Sequence, residues 1–183
     1  MLFESGNNAT IITYNGITPK LHPSVFTCHG VRIIGDVEIG EDCSIWYNTV
    51  IRGDVHYIRI GQRTNIQDMS MLHVTNDKYP LIIGNDVSIG HSVTLHGCTL
   101  QDSCLIGIGA ICLDGSIIER NSVVAAGSLV KEKFVVPSGT LVAGVPARVV
   151  KELNPDDLKN FTSIGSKYLN YVRIYKSQYN ESQ

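Results

Sequence analysis

Six histidines, His22, His29, His56, His73, His91 and His96, are the side chains of this sequence best suited to chemistry. A neutral imidazole is both a metal ligand and an acid–base group near physiological pH. Three of the six stand in a spacing that can be read. His73 directly follows Leu72, His96 directly follows Leu95, and the two lie 23 residues apart, or 18 plus 5. His91 comes two places after Ile89. Three neutral imidazoles with one coordination position left open suit a catalytic Zn²⁺, with Fe²⁺ or Co²⁺ as alternatives. Such an ion lowers the pKa of bound water to about 7 and makes hydroxide available at neutral pH. Taken singly, each histidine reads as a solvated surface imidazole, so the case depends on the elements that carry them.

Those elements announce themselves by repetition. Ile-Gly recurs at Ile34-Gly35, Ile39-Gly40, Ile60-Gly61, Ile83-Gly84, Ile89-Gly90, Ile106-Gly107 and Ile108-Gly109. Aliphatic residues fall every six positions: Ile33, Ile39, Ile45 and Ile51; then Ile83, Ile89 and Leu95; then Leu100, Ile106, Cys112, Ile118, Val124 and Val130. Small residues, among them Val37, Cys43, Thr49, Val87, Val93, Ser116, Ser122 and Ser128, sit four places after many of these. A period of six is neither helical nor a simple strand alternation. It suits flat short strands separated by tight corners, with one aliphatic per edge turned inward and glycine easing the turn. Three such edges close one coil of 18 residues, so residues 13–150 predict roughly seven coils of a parallel β-helix, stacked about 4.8 Å apart. The segment from Thr75 to Pro80 breaks the hexad and reads as a corner loop. Allowing for it, His73 and His96 occupy the same edge of adjacent coils, close enough for one ion to bridge. His91 belongs to the preceding edge. It can join the other two only if a second copy of the chain docks there.

The rest of the composition agrees with a prism of this kind. Charged residues make up 17% of the 183 positions, against about 25% in an average domain. Buried aliphatic ladders explain how so little charge suffices. Fifteen basic and seventeen acidic residues leave a net charge of -2, which argues against a nucleic-acid partner. No stretch reaches the roughly 18 apolar residues of a membrane span, and the first ten residues lack the pattern of a signal peptide. Cys28, Cys43, Cys98, Cys104 and Cys112 are odd in number and form no CxxC, so they read as reduced thiols of a cytoplasmic protein. The chain divides into a β-helix over 1–150 and a tail over 151–183. Asn154-Pro155-Asp156-Asp157 opens a helix in that tail, with Asn as cap, Pro in the first turn and acidic residues at the positive dipole end. Leu158, Phe161, Ile164, Tyr168, Val172, Tyr175 and Tyr179 follow at gaps of three and four as one apolar stripe, which predicts packing against the prism or across a subunit boundary. Gly165 weakens the middle of this helix.

The hexads resemble the hexapeptide-repeat superfamily of left-handed parallel β-helices, over about three-quarters of the chain. That resemblance implies the hand of the coil and a homotrimer. A narrower one is carried by Arg52-Gly53-Asp54, Asn65-Ile66-Gln67-Asp68, His73, and Gly90-His91 through Leu95-His96-Gly97-Cys98, which together resemble the gamma-class carbonic anhydrases. The resemblance implies a lyase that interconverts CO₂ and bicarbonate at metal sites between subunits. His73 and His96 of one chain and His91 of the next would be the ligands. Gln67 would hydrogen-bond the metal-bound hydroxide, Asn65 would help position substrate, and Arg52 would pair with an acidic residue of the adjoining subunit, with Asp54 and Asp68 as candidates. A nucleophilic hydroxide needs a partner that aims its lone pair, and an amide such as Gln67 both donates and accepts. Arg52, Asp54 and Asp68 equally suit an interface ion-pair network without catalytic duty, and Asn65 suits a left-handed corner.

Two positions depart from the family pattern. Val55 stands where the well-characterised active type carries Glu, and Asn76, beside Asp77, stands where that type carries the glutamate that passes protons to solvent. Turnover needs some acceptor for that proton, for which Asp77 and His56 are the substitutes at hand. Tyr168, Asn170 and Tyr171 of the final helix are further residues within possible reach of the site. Two other functions fit the same repeats. A non-catalytic or weakly active metal-binding assembly subunit would keep the trimer and the ion alone. A hexapeptide-repeat acyltransferase using CoA thioesters would also show Gly144-Val145-Pro146-Ala147-Arg148, but needs only one general-base histidine.

Overall fold

Strands of only two or three residues pair in parallel with strands one coil away, and this coil-to-coil bonding builds three flat faces. The computed structural model describes residues 8–181, with side chains through residue 178. The first face runs from Phe26–Thr27 through Ser44–Ile45, Asn65–Ile66, Ser88–Ile89, Leu105–Ile106 and Val123–Val124 to Thr140–Gly144. The second carries Met71–His73, Thr94–His96, Ile111–Cys112 and Leu129–Val130; the third carries Leu81–Ile83, Thr99–Leu100, Ile117–Ile118 and Val135–Val136. Two long strands, Arg32–Ile39 and Val50–Ile60, turn the corner between second and third faces without a break. About seven coils result, as the hexads predict.

The hexad aliphatics form the inner ladders. Ile33, Ile51, Leu72, Leu95, Cys112 and Val130 lie in register up the second face, and all are fully buried. Ile45, Ile66, Ile89, Ile106, Val124 and Val142 line the first face in the same way. Burying each large aliphatic contributes roughly 1.5–3 kcal/mol, and the ladder positions bury them one above another. Where a corner residue carries a hydroxyl, it can reach the next coil's backbone. Thr49 Oγ1 donates to the Gln67 carbonyl, Thr64 Oγ1 to that of Gly84 and Ser70 Oγ to that of Gly90, at 3.0–3.1 Å. Buried polar groups are thereby satisfied.

Glycine's part in the repeat differs from the sequence expectation. In five of the seven Ile-Gly pairs the glycine does not adopt the left-handed backbone; only Gly35 and Gly109 do. At Gly107 a Cβ would stand 2.4 Å from the backbone nitrogen of Ala126, and at Gly61 2.7 Å from the carbonyl of Gly84. These glycines permit close stacking of coils. The left-handed turn falls two residues later, on Asp42, Arg63 and Asp86 after Gly40, Gly61 and Gly84.

Three insertions interrupt the prism, all at the corner between second and third faces, the first of them closed by a bridge between Tyr14 and Ile17. Asp54–Tyr57 bulge out opposite the single residue Asp36, and the expected loop after His73 is closed by a bridge between Thr75 and Tyr79. The amide of Asp77 donates to the Val55 carbonyl at 3.2 Å and ties the third insertion to the second.

At the far end, Thr140–Gly144 pairs antiparallel with Ala147–Glu152 and closes the last coil, so the division at residue 150 falls inside a strand. The helix Pro155–Glu181 follows. Asn154 Oδ1 accepts the Asp157 amide at 2.8 Å, as a capping residue should. Tyr168, Val172 and Tyr175 pack on Phe26 and Trp46 of the first face, with ring centroids 5.2 Å apart for Trp46–Tyr168. Gly165 passes over Ser88. The stripe's last member, Tyr179, has its side chain outside the described residues, as do residues 1–7 of the amino-terminal segment. All five cysteines are buried and unpaired; burial pushes the Cys28 and Cys98 thiols up to about 12. Among the described residues no helix is long and apolar enough to cross a membrane.

The two glycine classes should respond differently to Ala. Gly107→Ala overlaps rigid backbone and should cost about 3 kcal/mol or more, as overpacking does, whereas Gly109→Ala meets no atom within 4 Å and should cost about 1–2 kcal/mol of backbone strain. Urea denaturation of both variants checks the order.

Candidate metal centre

Register alone places two of the three histidines side by side. Leu95 pairs with Leu72 and His96 with His73, and the inward leucines force both imidazoles outward. His73 Nδ1 and His96 Nε2 lie 3.1 Å apart. The outer nitrogens are held by carboxylates: His73 Nε2 by Asp54 Oδ1 at 3.0 Å, and His96 Nδ1 by Asp114 Oδ1 at 2.6 Å. Ionised carboxylates only accept, so each outer nitrogen carries the ring proton. The two inner nitrogens then face each other and must share a cation, either a metal ion or a proton that makes one ring an imidazolium. Two nitrogens bound at 2.0–2.1 Å to one tetrahedral zinc stand about 3.3 Å apart, close to the separation here. Carboxylate-buttressed histidines are also the usual outer support of a metal site. On donor chemistry and spacing, the pair fits a divalent ion.

Charge around the pair keeps it competent. Arg52 donates to the second oxygen of Asp54 at 2.5 Å. Burial opposes ionisation of Asp54, but the bonds from Arg52 and His73 and the Arg52 charge outweigh it and hold the carboxyl below its ordinary value. Burial, helped by the Arg52 and His96 charges, pushes His73 below its ordinary value against the bond to Asp54. Asp114 is also held low: burial resists, and the bonds from Thr75 and His96 prevail. Sequence reasoning missed Asp114 and Thr75. The available signal was the coil length, since Asp114 lies 18 residues after His96.

The remaining candidates gather on another edge. Asp68 Oδ2 holds His91 Nδ1 at 2.8 Å at the corner between first and second faces. On the adjoining first face, Gln67 Nε2 donates to Asn65 Oδ1 at 3.1 Å and Asn65 Nδ2 to Ser88 Oγ at 2.8 Å, all three buried. Asn65 is thus a strand residue, and its bonds orient the Gln67 amide. Tyr168 and Tyr171 line a cavity of about 310 Å³ beside Asp68, while Asn170 is exposed and outside that lining. Burial, then the Asp68 charge, pushes the Tyr168 hydroxyl up to about 12. Within one chain His91 therefore does not meet His73 and His96, and among the described residues no group of three His, Cys, Asp or Glu is placed to hold a metal. Within the chain Arg52 bonds Asp54, since two residues two apart on one strand share a face.

The proton-acceptor substitutes lie near the His73 half. Asp54, His56, Asn76 and Asp77 border one cavity of about 460 Å³. His56 Nδ1 accepts the Tyr57 amide at 2.9 Å, so protonating that nitrogen would break the bond. Asp77 Oδ2 accepts from Asn76 at 3.0 Å.

The family model "Bacterial transferase hexapeptide (six repeats)" matches residues 18–53. A protein of Geobacillus kaustophilus named carbonic anhydrase is 48% identical over 167 residues, 91% of this chain and 91% of its own length. The chain belongs to the gamma-class carbonic anhydrase-like family. Gamma carbonic anhydrase 2, mitochondrial, of Arabidopsis thaliana is 39% identical over 90% of this chain, which spans only 61% of that relative's length. A solved structure, a hexapeptide transferase family protein from Anaplasma phagocytophilum, matches with a TM-score of 0.86 at 39% identity, covering 90% of this chain and 97% of its own. Membership in this gamma-class family carries with it the left-handed β-helix and a general carbonic anhydrase-like character.

Because His73 is depressed below 6.5 when folded, the unfolded chain binds its proton first as pH falls, and stability drops below about pH 6.5. Metal-free protein should lose urea resistance between pH 7 and pH 5, and His73→Gln should flatten that loss; midpoints measured across the range check it.

Proposed function

We propose that this chain forms a homotrimer whose subunit boundaries each hold one divalent metal ion, and that it hydrates CO₂ reversibly to bicarbonate there. The single observation that carries the reading is the facing pair His73 Nδ1–His96 Nε2, 3.1 Å apart, with both outer nitrogens bonded to carboxylates. His91 has a side chain 44% exposed against 17% for His73, and it lies on the edge that a second copy would have to meet. The Geobacillus relative's name supports CO₂ as substrate.

His73 and His96 of one chain and His91 of its neighbour would hold the ion, which when bound supplies Lewis acidity that makes a water proton easier to remove. Gln67 uses Nε2 on Asn65, which leaves its Oε1 as the acceptor that would orient the attacking group. Asn65 keeps that amide from rotating and, with Ser88, shapes the place where CO₂ would stand. Arg52 holds Asp54, and Asp54 holds the His73 ring. Asp77 in the cavity beside Asp54 is the better proton acceptor of the two substitutes, since His56 spends Nδ1 on the backbone. Zinc, iron and cobalt all satisfy a His₃ site.

Stopped-flow CO₂ hydration on metal-quantified protein tests the reaction, with His96→Ala as control. Hydration that follows metal content and falls at least 100-fold in His96→Ala is expected. Metal uptake without hydration would put the assembly-subunit reading first, a reading that the Asn76 and Val55 positions favour. Acyl transfer would show instead as tight CoA binding that ignores the metal.

The shared boundary has its own test. His73→Ala and His91→Ala should each bind little metal, but equal mixtures refolded together should recover about a quarter of the wild-type content, since any mixed ring of three restores one boundary. Recovery no greater than either parent would rule out a site between chains.

A further inference from the structure

Asp114 occurs in none of the motifs above, yet it bonds one of the two paired histidines more closely than Asp54 bonds the other. One oxygen lies 2.6 Å from His96 Nδ1 and the second accepts from Thr75 Oγ1, also at 2.6 Å. Thr75 stands two residues after His73, at the start of the inserted loop. Asp114 therefore joins the loop that leaves one histidine to the ring of the other.

The fold has made room for this joint. A Cβ at Gly97, next to His96, would lie 2.5 Å from Asp114 Oδ1 and 2.7 Å from Tyr79 Cβ. At Gly115, next to Asp114, a Cβ would lie 2.9 Å from the Tyr79 ring. Two glycines thus admit the Tyr79 side chain and the carboxylate together, so that the loop from Thr75 to Tyr79 is seated on the two coils that carry His96 and Asp114. The two carboxylates also differ in charge balance. Asp54 is ion-paired with Arg52, whereas Asp114 faces a neutral hydroxyl from Thr75 and Lys78 only at longer range. The less neutralised carboxylate is the stronger acceptor for a ring proton.

We propose that Asp114, anchored by Thr75, is a positioning residue that fixes His96 as the tautomer with its proton on Nδ1, so that the Nε2 lone pair is always presented toward His73. Which ring nitrogen carries the proton is set by the bond the other nitrogen's partner offers, and here that partner is locked by the loop. The purpose of the lone pair rests on the metal reading above; the tautomer does not. Asp114 acts through His96 and touches neither metal nor substrate.

Nitrogen-15 NMR of histidine-labelled, metal-free full-length protein at pH 8 reads the tautomer directly. Wild-type His96 should carry its proton on Nδ1, and Asp114→Ala should move a large share of it to Nε2. Should Asp114→Ala not fold, Thr75→Ala carries the same test, with a partial move that Thr75→Ser reverses. Cobalt titration should show affinity about 10–100-fold weaker in Asp114→Ala, the usual cost of losing such a support. A His96 tautomer unchanged in folded Asp114→Ala, or in Thr75→Ala if the first variant is unfolded, overturns the proposal whatever the metal does. A shifted tautomer in a protein whose wild type takes up no cobalt keeps the proposal and removes the metal reading.

Discussion

Parallel hydrogen bonding between coils is the constraint from which everything else in this structure follows. Each short strand has too few residues to be stable alone, and its backbone groups are satisfied only by the strands directly above and below. That bonding requires the coils to keep register, and register brings aliphatic residues into continuous inner ladders such as Ile51, Leu72, Leu95 and Cys112. It also requires that nothing bulky stand between coils at the positions of closest approach. Gly61, Gly84 and Gly107 meet that requirement, since a Cβ at any of them would lie within 3 Å of the next coil.

The same register creates the chemistry. A residue placed just after an inward leucine must point outward, and two such residues on neighbouring coils must stand side by side. His73 and His96 are in that relation, and their carboxylate partners come from the coils beyond, Asp54 on one side and Asp114 on the other. In the row Arg52–Asp54–His73–His96–Asp114–Thr75 the first step runs along one strand, and each later step is supplied by another coil or its loop. Where the hexad is broken, at Asp54–Tyr57 and after His73, the extra residues are gathered at this one corner and tied together by the Asp77–Val55 bond.

The opposite edge is organised by the helix. Tyr168 and Tyr175 cover Trp46 on the first face, and Asn65, Gln67 and Ser88 are buried on that same face. The tail thus shelters a polar row that would otherwise be open strand surface. His91, held by Asp68, sits at the margin of this shelter.

Much of this was legible in the residue order, because a period of six translates directly into faces, inward positions and neighbours one coil away. The coil count, the inner ladders, the helix start at Asn154-Pro155 and the adjacency of His73 and His96 all follow from spacing alone. The role of the Ile-Gly glycines was not legible, since close approach and turn conformation demand the same residue, and only the backbone tells them apart. Nor was the Arg52–Asp54 bond, because a residue pair two apart on one strand and a pair across a boundary look alike in sequence. Asp114 was hidden for a further reason: its partner lies one coil away, and nothing local marks an aspartate at a corner as different from one that only turns the chain. The sequence by itself determined which residues lie above one another, because stacking follows periodicity. Only the tertiary structure decided which side chains bond, because that depends on how the inserted loops and the three corners direct their atoms in space.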